Sequence, residues 1–399
     1  MSAEALQKVD VIIAGGGVVG LSAALAIANH TNFKVAVVEA FSVTSQNTSD
    51  LNVALGHPSF DARVVALAKQ SYLQLQRFGV QVDRVDLCPI KHIHVSDRGH
   101  LGQVKLEEKD PMGYVVALQH LGAQLQNQVE KHSNISLYQP DKIRSITQEP
   151  GAIECRCESV ALRGKLLLVA EGATSTTKSL LNISNHVVDY EQTAIIANVE
   201  AQRPHHNQAF ERFTSQGPLA LLPMNGGNAN RLSMVWTLDS SKANDILSLT
   251  NTAFLDALRR LFSDKLGRFL ACSDKVSYPL KLTTASDFIH HRAICLGNAA
   301  QSLHPIAGQG FNLGVRDIDA LLDVLKDGQY ALGSFHQLKR YRELRAPDKQ
   351  SVVTATNALV KVFSNQYLPL IVGRNLGLLG LNQSTLFKQQ FVKFAMGER

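Results

Sequence analysis

The sequence has little of what holds small secreted folds together. Its five cysteines, Cys88, Cys155, Cys157, Cys272 and Cys295, are scattered through 399 residues. None forms a CxxC pair, so a disulfide scaffold, a zinc ribbon and a thioredoxin-like motif are all excluded. Long apolar runs are lacking too. The longest, Tyr367 to Leu381, is interrupted by Arg374 and Asn375 and is too short to span a bilayer. Met1 to Asp10 is polar, without the apolar stretch of a secretion signal, so a cytoplasmic location is expected. No Lys/Arg-rich block with interleaved aromatics occurs, which argues against nucleic acid. GxSxG, HExxH and Walker A patterns are missing as well.

What is present fits a soluble globular chain with 45% apolar and 19% charged residues. The length suits two or three domains. The net charge of +6 suits an anionic partner, and it equally suits no partner, since modest charge aids solubility.

Val9 to Ala14 is rich in β-branched residues, as a buried parallel strand would be. A glycine cluster follows, then a small, apolar helical stretch from Leu21 to Ala28, then a second buried strand from Lys34 to Glu39. This is a βαβ unit. Gly15, Gly17 and Gly20 supply GxGxxG at its turn: the first glycine for the bend, the second for close approach of a pyrophosphate, the third for helix–strand packing. Glu39 stands nineteen positions after Gly20, at the end of the second strand. A carboxylate there accepts ribose hydroxyls and repels a 2′-phosphate, so FAD or NAD is expected rather than NADP.

A second glycine-dense segment runs from Gly297-Asn298 through His304-Pro305 to Gly308-Gln309-Gly310-Phe311-Asn312 and on to Asp317. A buried strand, Ala293 to Leu296, precedes it, and a helix is expected from Gly310 to Lys326. This is a second helix N-terminus aimed at a ligand, with backbone making the contact.

Elsewhere, Thr44 to His57 reads as a loop, Ala62 to Phe78 as a helix ending at Gly79, and Ile90 to Leu106 as a hairpin about Asp97-Arg98-Gly99. Tyr114 to Lys131 reads as an amphipathic helix and Leu166 to Ala170 as another buried strand. Thr193 to Leu238 carries strands separated by turn residues, the pattern of an antiparallel sheet. The segment 341–399 is expected to be helical.

The run from His304 to Asp317 resembles the signature of the ubiquinone-biosynthesis hydroxylases among the flavin-dependent aromatic monooxygenases. The Asp61–Leu67 segment with Arg63 is similar to that family's arginine-bearing segment. His94–His100, Ala209–Thr214 and Gly217–Met224 resemble the subgroup acting on polyprenylated methoxyphenols. The resemblance implies an α/β fold of p-hydroxybenzoate-hydroxylase type. A Rossmann-type FAD-binding domain would comprise 1–72, 98–180 and 285–340. An antiparallel-sheet substrate domain would comprise 73–97 and 181–284, with a C-terminal helical region at 341–399.

The resemblance also implies non-covalent FAD, NADPH as co-substrate, and hydroxylation of a polyprenylated phenol by O2 through a C4a-hydroperoxyflavin. The alternative is an FAD-bound, weakly catalytic scaffold subunit of a quinone-biosynthesis complex. Gly15, Gly17, Gly20, Glu39, Arg63, Glu171, Gly297, Asn298, Gly308, Gln309, Gly310 and Asn312 would hold the cofactor. His304 and Pro305 would lie at the reaction site, and Phe213 and Pro223 would meet the substrate. So apolar a substrate implies ubiquinone-biosynthesis partners or the inner-membrane surface, with the apolar and basic residues of 341–399 as an interaction surface outside the reaction site.

Two departures from the family pattern stand out. Glu171-Gly172 replaces the usual Asp-Gly, with Lys178 where arginine is common, and Ala117 occupies an expected helix position usually held by glutamate. Single Trp236 excludes the double-tryptophan motif of flavin halogenases. His92 and His94 share one strand face and could be half of a metal site, although no further ligands accompany them.

Overall fold

The computed structural model describes residues 6–42, 63–98, 102–214, 216–225, 228–262, 264–304, 308–363, 380 and 384–398. The expected loop Thr44–His57, together with Asp61, Ala62, Gly99 and Pro305, lies outside the described residues.

The strands Val11–Ala14, Val35–Val38 and Leu166–Val169 are buried on both faces, as their unbroken apolar sequences require. They form the centre of a six-stranded sheet. Its order is Ile289–His290, Ala293–Cys295, Leu166–Val169, Val11–Ala14, Val35–Val38 and Ile135–Tyr138, all parallel except the first edge strand. Val11, Ile13, Val35 and Val37 pack against helices on one face. Ile12, Ala14, Ala36 and Val38 face the other way, against Ile153, Cys155 and Leu162 of a four-stranded sheet. Each buried Val, Ile or Leu among them contributes roughly 1.5–3 kcal/mol.

The covering helices begin with α1 (Val18–His30). Next come α2 (Lys69–Arg77) and α3 (Leu118–Glu130), with the short α4 (Thr176–Leu180) after the third buried strand. Helices α5 (Ser240–Leu247) and α6 (Asn251–Phe262) belong to the second sheet. Helices α7 (Gln309–Asp327), α8 (Phe335–Phe363) and α9 (Thr385–Met396) follow.

Two expected helices start later than their spacing suggests. Val64–Ala68 and Gly113–Ala117 are strands, paired antiparallel from Val64↔Ala117 to Ala68↔Gly113, and α2 and α3 begin at the next residue in each case. The β-branched Val64, Val65, Val115 and Val116 favour this pairing, which periodicity alone does not reveal. Gly79, with φ +86°, ends α2 as expected. Ala117 is therefore the strand residue capping α3, not a residue within a helix.

The second sheet has nine strands and is antiparallel except where Gln208–Thr214 runs parallel to His92–Asp97. Its long members are Asn185–Ala201, Arg231–Asp239 and Val276–Ala285. One face packs Trp236, Leu219 and Leu221 on Phe254, Leu258 and Phe262 of α6. The hairpin partner Gln103–Glu107 belongs to this sheet, so a boundary at 97/98 cuts through a hairpin. Similarly, α8 begins at Phe335, ahead of the expected 341.

Candidate active site

A continuous cavity of about 1320 Å³ lies between the parallel sheet and the uncovered face of the large sheet. It exceeds the ~300–1,000 Å³ typical of a pocket for one drug-sized ligand, leaving space for a dinucleotide and a second molecule. Every expected cofactor residue except Gly20 lines it.

At one end, Gly15 adopts φ +107°, and a β-carbon there would meet the Ala170 backbone at 2.7 Å. Gly17 caps α1 with no side-chain hydrogen bond, and no acidic residue occupies the first turn. Those N–H groups and the helix dipole therefore remain for an anion. The buried Glu39 carboxylate accepts a hydrogen bond from Gly16 N at 2.5 Å and from Phe41 N at 2.9 Å. It braces the glycine turn as well as bordering the cavity.

The second glycine segment comes to the same space. Gly297 has φ +54°, and its N–H donates to Asp317 Oδ2 at 3.1 Å. Gly308, with φ +60°, caps α7 without side-chain help, and again no acid lies in the first turn. Asn298, Gln309 and Gly310 border the cavity there. Asn312 does as well, yet its amide is engaged with backbone. It donates to Ala66 O and Gly308 O at 2.9 and 2.8 Å and accepts from Ala68 N at 2.9 Å. It ties α7 to the strand Val64–Ala68. Arg63 borders the cavity with its guanidinium carbon 5.0 Å from the centre of the Tyr278 ring.

Glu171 borders the cavity, but its carboxylate serves its own loop. It accepts from Thr177 N at 3.0 Å, Thr177 Oγ1 at 2.9 Å and Ser175 Oγ at 2.5 Å. The extra methylene relative to aspartate gives the reach to cap α4 in this way. Lys178, wholly buried, donates to Asn185 Oδ1, Ala299 O and Ala173 O at 2.8, 2.9 and 3.3 Å. Burial lowers its pKa from the usual lysine value. It joins the Glu171 loop to the Gly297–Ala299 turn.

Sequence reasoning missed the ion network beneath that turn. Asp317, fully buried, accepts from Arg345 Nε at 2.9 Å and from Lys349 Nζ at 2.7 Å. Arg345 also pairs with Asp348, and Lys349 donates to Gln301 Oε1 at 2.9 Å. Arg345 and Lys349 lie one turn apart on α8, so that helix holds the Gly297 segment through Asp317. Their i, i+4 spacing was the available signal, and it also fits an ordinary wet helix face.

Beyond the glycine segments the cavity reaches the large sheet. Phe213 lines it and packs with Val95, Val104 and Val392. Pro223 does not line it. Along Gly217–Pro223, Ala220 and Leu222 face the cavity while Leu219 and Leu221 enter the opposite core, and Pro223 shares their parity. Phe391 and Ala395 of α9 also border the cavity. The C-terminal region is thus part of this site, contrary to the expectation that it lies apart.

His304 is buried at the cavity wall with its ring edge-on to Tyr190, 5.5 Å between centroids. Burial pushes its imidazole down to about 4, so the ring is neutral at physiological pH and cannot act there as a cationic acid. His94 accepts from or donates to Gln103 and Lys265 rather than a metal, and no metal-binding cluster occurs among the described residues.

Two helix N-termini without side-chain caps, a strand-end glutamate and an apolar sheet face around one cavity suit a nucleotide cofactor beside an apolar substrate. The FAD binding domain family matches residues 8–356. The chain is 32% identical to the ubiquinone hydroxylase UbiL of Rhodospirillum rubrum, covering 97% of this chain and 89% of that protein. It is 28% identical to the 3-demethoxyubiquinol 3-hydroxylase of Escherichia coli, covering 98% and 99%. The crystal structure of p-nitrophenol 4-monooxygenase PnpA from Pseudomonas putida superposes with a TM-score of 0.78 at 17% identity, covering 99% of this chain and 100% of that one. The chain belongs to the FAD binding domain family and, within it, to the ubiquinone-biosynthesis flavin hydroxylases.

Proposed function

We propose that this chain hydroxylates the aromatic ring of a polyprenylated phenol on the route to ubiquinone, with FAD as cofactor and NADPH and O2 as co-substrates. The observation that carries this reading is the single cavity joining the two helix N-termini to the apolar face of the large sheet. When bound, FAD supplies the electron transfer from NADPH to O2 and delivery of one oxygen atom to the ring. The residues present suit that cofactor. Gly15, Gly17 and the start of α1 would receive the diphosphate, with Gly20 permitting the close packing, and Glu39 the ribose. Arg63, Glu171, Asn298 and the Gly297 turn would flank the central part. Gly308, Gln309, Gly310 and Asn312 would set the α7 dipole against the ring system, where it stabilises negative charge.

The remaining residues orient the substrate and exclude water. Phe213 and its neighbours on the sheet would hold the aromatic ring, with α9 covering one side. Proposed domain limits follow the sheets: the parallel-sheet unit for the cofactor, and the nine-stranded sheet, including 103–107, for the substrate. No helix among the described residues is long and apolar enough to cross a membrane. Lys393, exposed on the cavity-bordering α9, makes that helix the proposed contact with an anionic membrane or a lipid-carrying partner. A scaffold role without turnover draws no support from a site with every pattern glycine in place. NADPH oxidation by the FAD-loaded protein, with and without a prenylated phenol, tests the reading. Stimulation by the phenol supports it, and its absence across such phenols opposes it.

A further inference from the structure

Strand Gln208–Thr214 sends alternate side chains into two environments, with Phe210 also bordering the cavity. Phe210 and Arg212 point toward α6: Phe210 lies edge-on to Phe262 at 5.1 Å, and Arg212 donates to Leu261 O at 2.7 Å. Ala209, Glu211 and Phe213 therefore point the other way, into the cavity, which all three line. Register places Glu211 between Val95 on one neighbouring strand and Ala220 on the other, with Val235 beyond Ala220 and Ile196 beyond that. An acid thus sits at the centre of an apolar wall.

No described residue gives that carboxyl a hydrogen bond or an ion pair. The residue is half-buried and borders the cavity. Burial pushes it up to about 7, and no charged group contributes to the shift. Its register partners on the adjoining strands, Val95 and Ala220, are apolar; Arg212 and Lys265 belong to the opposite face, while Asp97, opposite Phe213, lies two residues along on the same face as Val95. An apolar side chain would suit such a wall better, since a carboxylate surrounded by apolar groups loses hydration. A ligand that enters the cavity can supply the missing partner. Ser233, 1% exposed on the same wall, also has a hydroxyl with no hydrogen-bond partner.

We propose that Glu211 receives the phenolic hydroxyl of the substrate and takes its proton as the ring is hydroxylated, with Ser233 meeting a second oxygen substituent. The proposal rests on the function proposed above and adds the residue that activates the ring. The O–H bond breaks, its electron pair stays on oxygen and spreads to the ortho and para carbons, and the proton moves to a Glu211 Oε. A ring carbon made electron-rich in this way is attacked more readily by electrophilic oxygen. O2 supplies one atom to that carbon, with a hydride (two electrons and one hydrogen) from NADPH and one proton from solvent providing the new hydroxyl hydrogen and the second hydrogen of water. The hydrogen on the attacked carbon leaves as a proton and accompanies the second oxygen atom into water. Glu211 then returns its proton to the original oxygen, and the ring is aromatic again. A base whose pKa lies near the working pH suits the task.

The test uses full-length FAD-loaded protein, Glu211→Gln and Glu211→Leu, a short-chain prenylated phenol and its O-methyl ether. Binding is read from perturbation of the flavin spectrum without NADPH, and turnover from product. Wild type is expected to bind the phenol at least about tenfold tighter than the ether, the size of a charge-assisted hydrogen bond. Glu211→Leu should erase that preference while keeping bound FAD. Glu211→Gln should lower kcat about 10²-fold and abolish the fall in kcat/KM as pH drops through 7. Folding is checked by Tm, which should rise in Glu211→Leu. Unchanged preference, kcat and pH profile in both variants, with wild type active, would overturn the role of Glu211 alone. A wild type that neither binds nor hydroxylates any such phenol would overturn the proposed function with it.

Discussion

A β-carbon on Gly20 would stand 1.9 Å from the carbonyl oxygen of Gly15. The two ends of the glycine turn are that close because α1 starts directly against the strand it leaves. Gly20→Ala must therefore push α1 away from the turn or distort the turn itself. The expected cost is about 1–3 kcal/mol of stability or more, together with loss of most bound FAD. Thermal unfolding and the flavin-to-protein absorbance ratio of the purified variant check both. Unchanged values for both would contradict this account of the turn.

Glu171 makes its bonds within its own loop, so its replacement should act first on stability. Glu171→Ala removes a carboxylate that serves Thr177 N, Thr177 Oγ1 and Ser175 Oγ. A loss of about 0.5–2 kcal/mol is expected, the size of a lost helix cap, with a weaker hold on FAD as a secondary effect. Glu171→Asp should retain part of the cap and leave FAD affinity nearly as in wild type. Urea unfolding and FAD titration of the two variants separate these effects. A large fall in FAD affinity with stability untouched would point to direct cofactor contact instead.

Lys349→Met leaves Asp317 buried with Arg345 as its remaining cationic partner. Breaking one side of a buried charge network costs about 3–5 kcal/mol. The Gly297 turn hangs on the same carboxylate through its N–H, so FAD retention should fall as well. Differential scanning calorimetry of the variant, with and without added FAD, measures both.

Between about pH 4 and 7 two kinds of group should act on stability in opposite directions. His304 and His94 are both pushed down to about 4, chiefly by burial. Lowered histidines contribute stability that is present above their ordinary value near 6.5 and is lost as pH falls through about 4. Glu211 is raised, so its contribution is present below its ordinary value near 4.5 and is lost as pH rises through about 7. Glu211→Gln should therefore match wild type in Tm near pH 4.5 and exceed it by a margin that grows to about pH 7 and then levels off. A gap in Tm that does not change with pH would contradict the burial of that carboxyl.

Much of the cofactor end is legible in sequence because it is local. Gly15 to Gly20 and Glu39 belong to one βαβ unit, whose strand, turn and helix follow from neighbouring residues. The segment Gly297–Asn312 is readable for the same reason. Val64–Ala68 and Gly113–Ala117 are not, because they are strands through pairing with segments far away in sequence: with each other and, for Gly113–Ala117, also with Cys88–Ile90. Glu171 reads as a cofactor ligand from its place after a buried strand, while its bonds depend on how α4 folds back. Pro223 lies on the face opposite the cavity, which sequence does not show because the facing of a strand depends on register. In sequence Glu211 reads as an ordinary surface acid, and only the cavity places it on an apolar wall.

The most direct test of the central claim is the fate of dioxygen. Purified FAD-loaded protein, NADPH, isotopically labelled O2 and a short-chain prenylated phenol are incubated together, and the product is analysed by mass spectrometry. The account predicts a ring-hydroxylated product carrying one labelled oxygen, formed only when FAD, NADPH and the phenol are all present. NADPH consumption that yields only hydrogen peroxide for every prenylated phenol tried, with no labelled product, would contradict it.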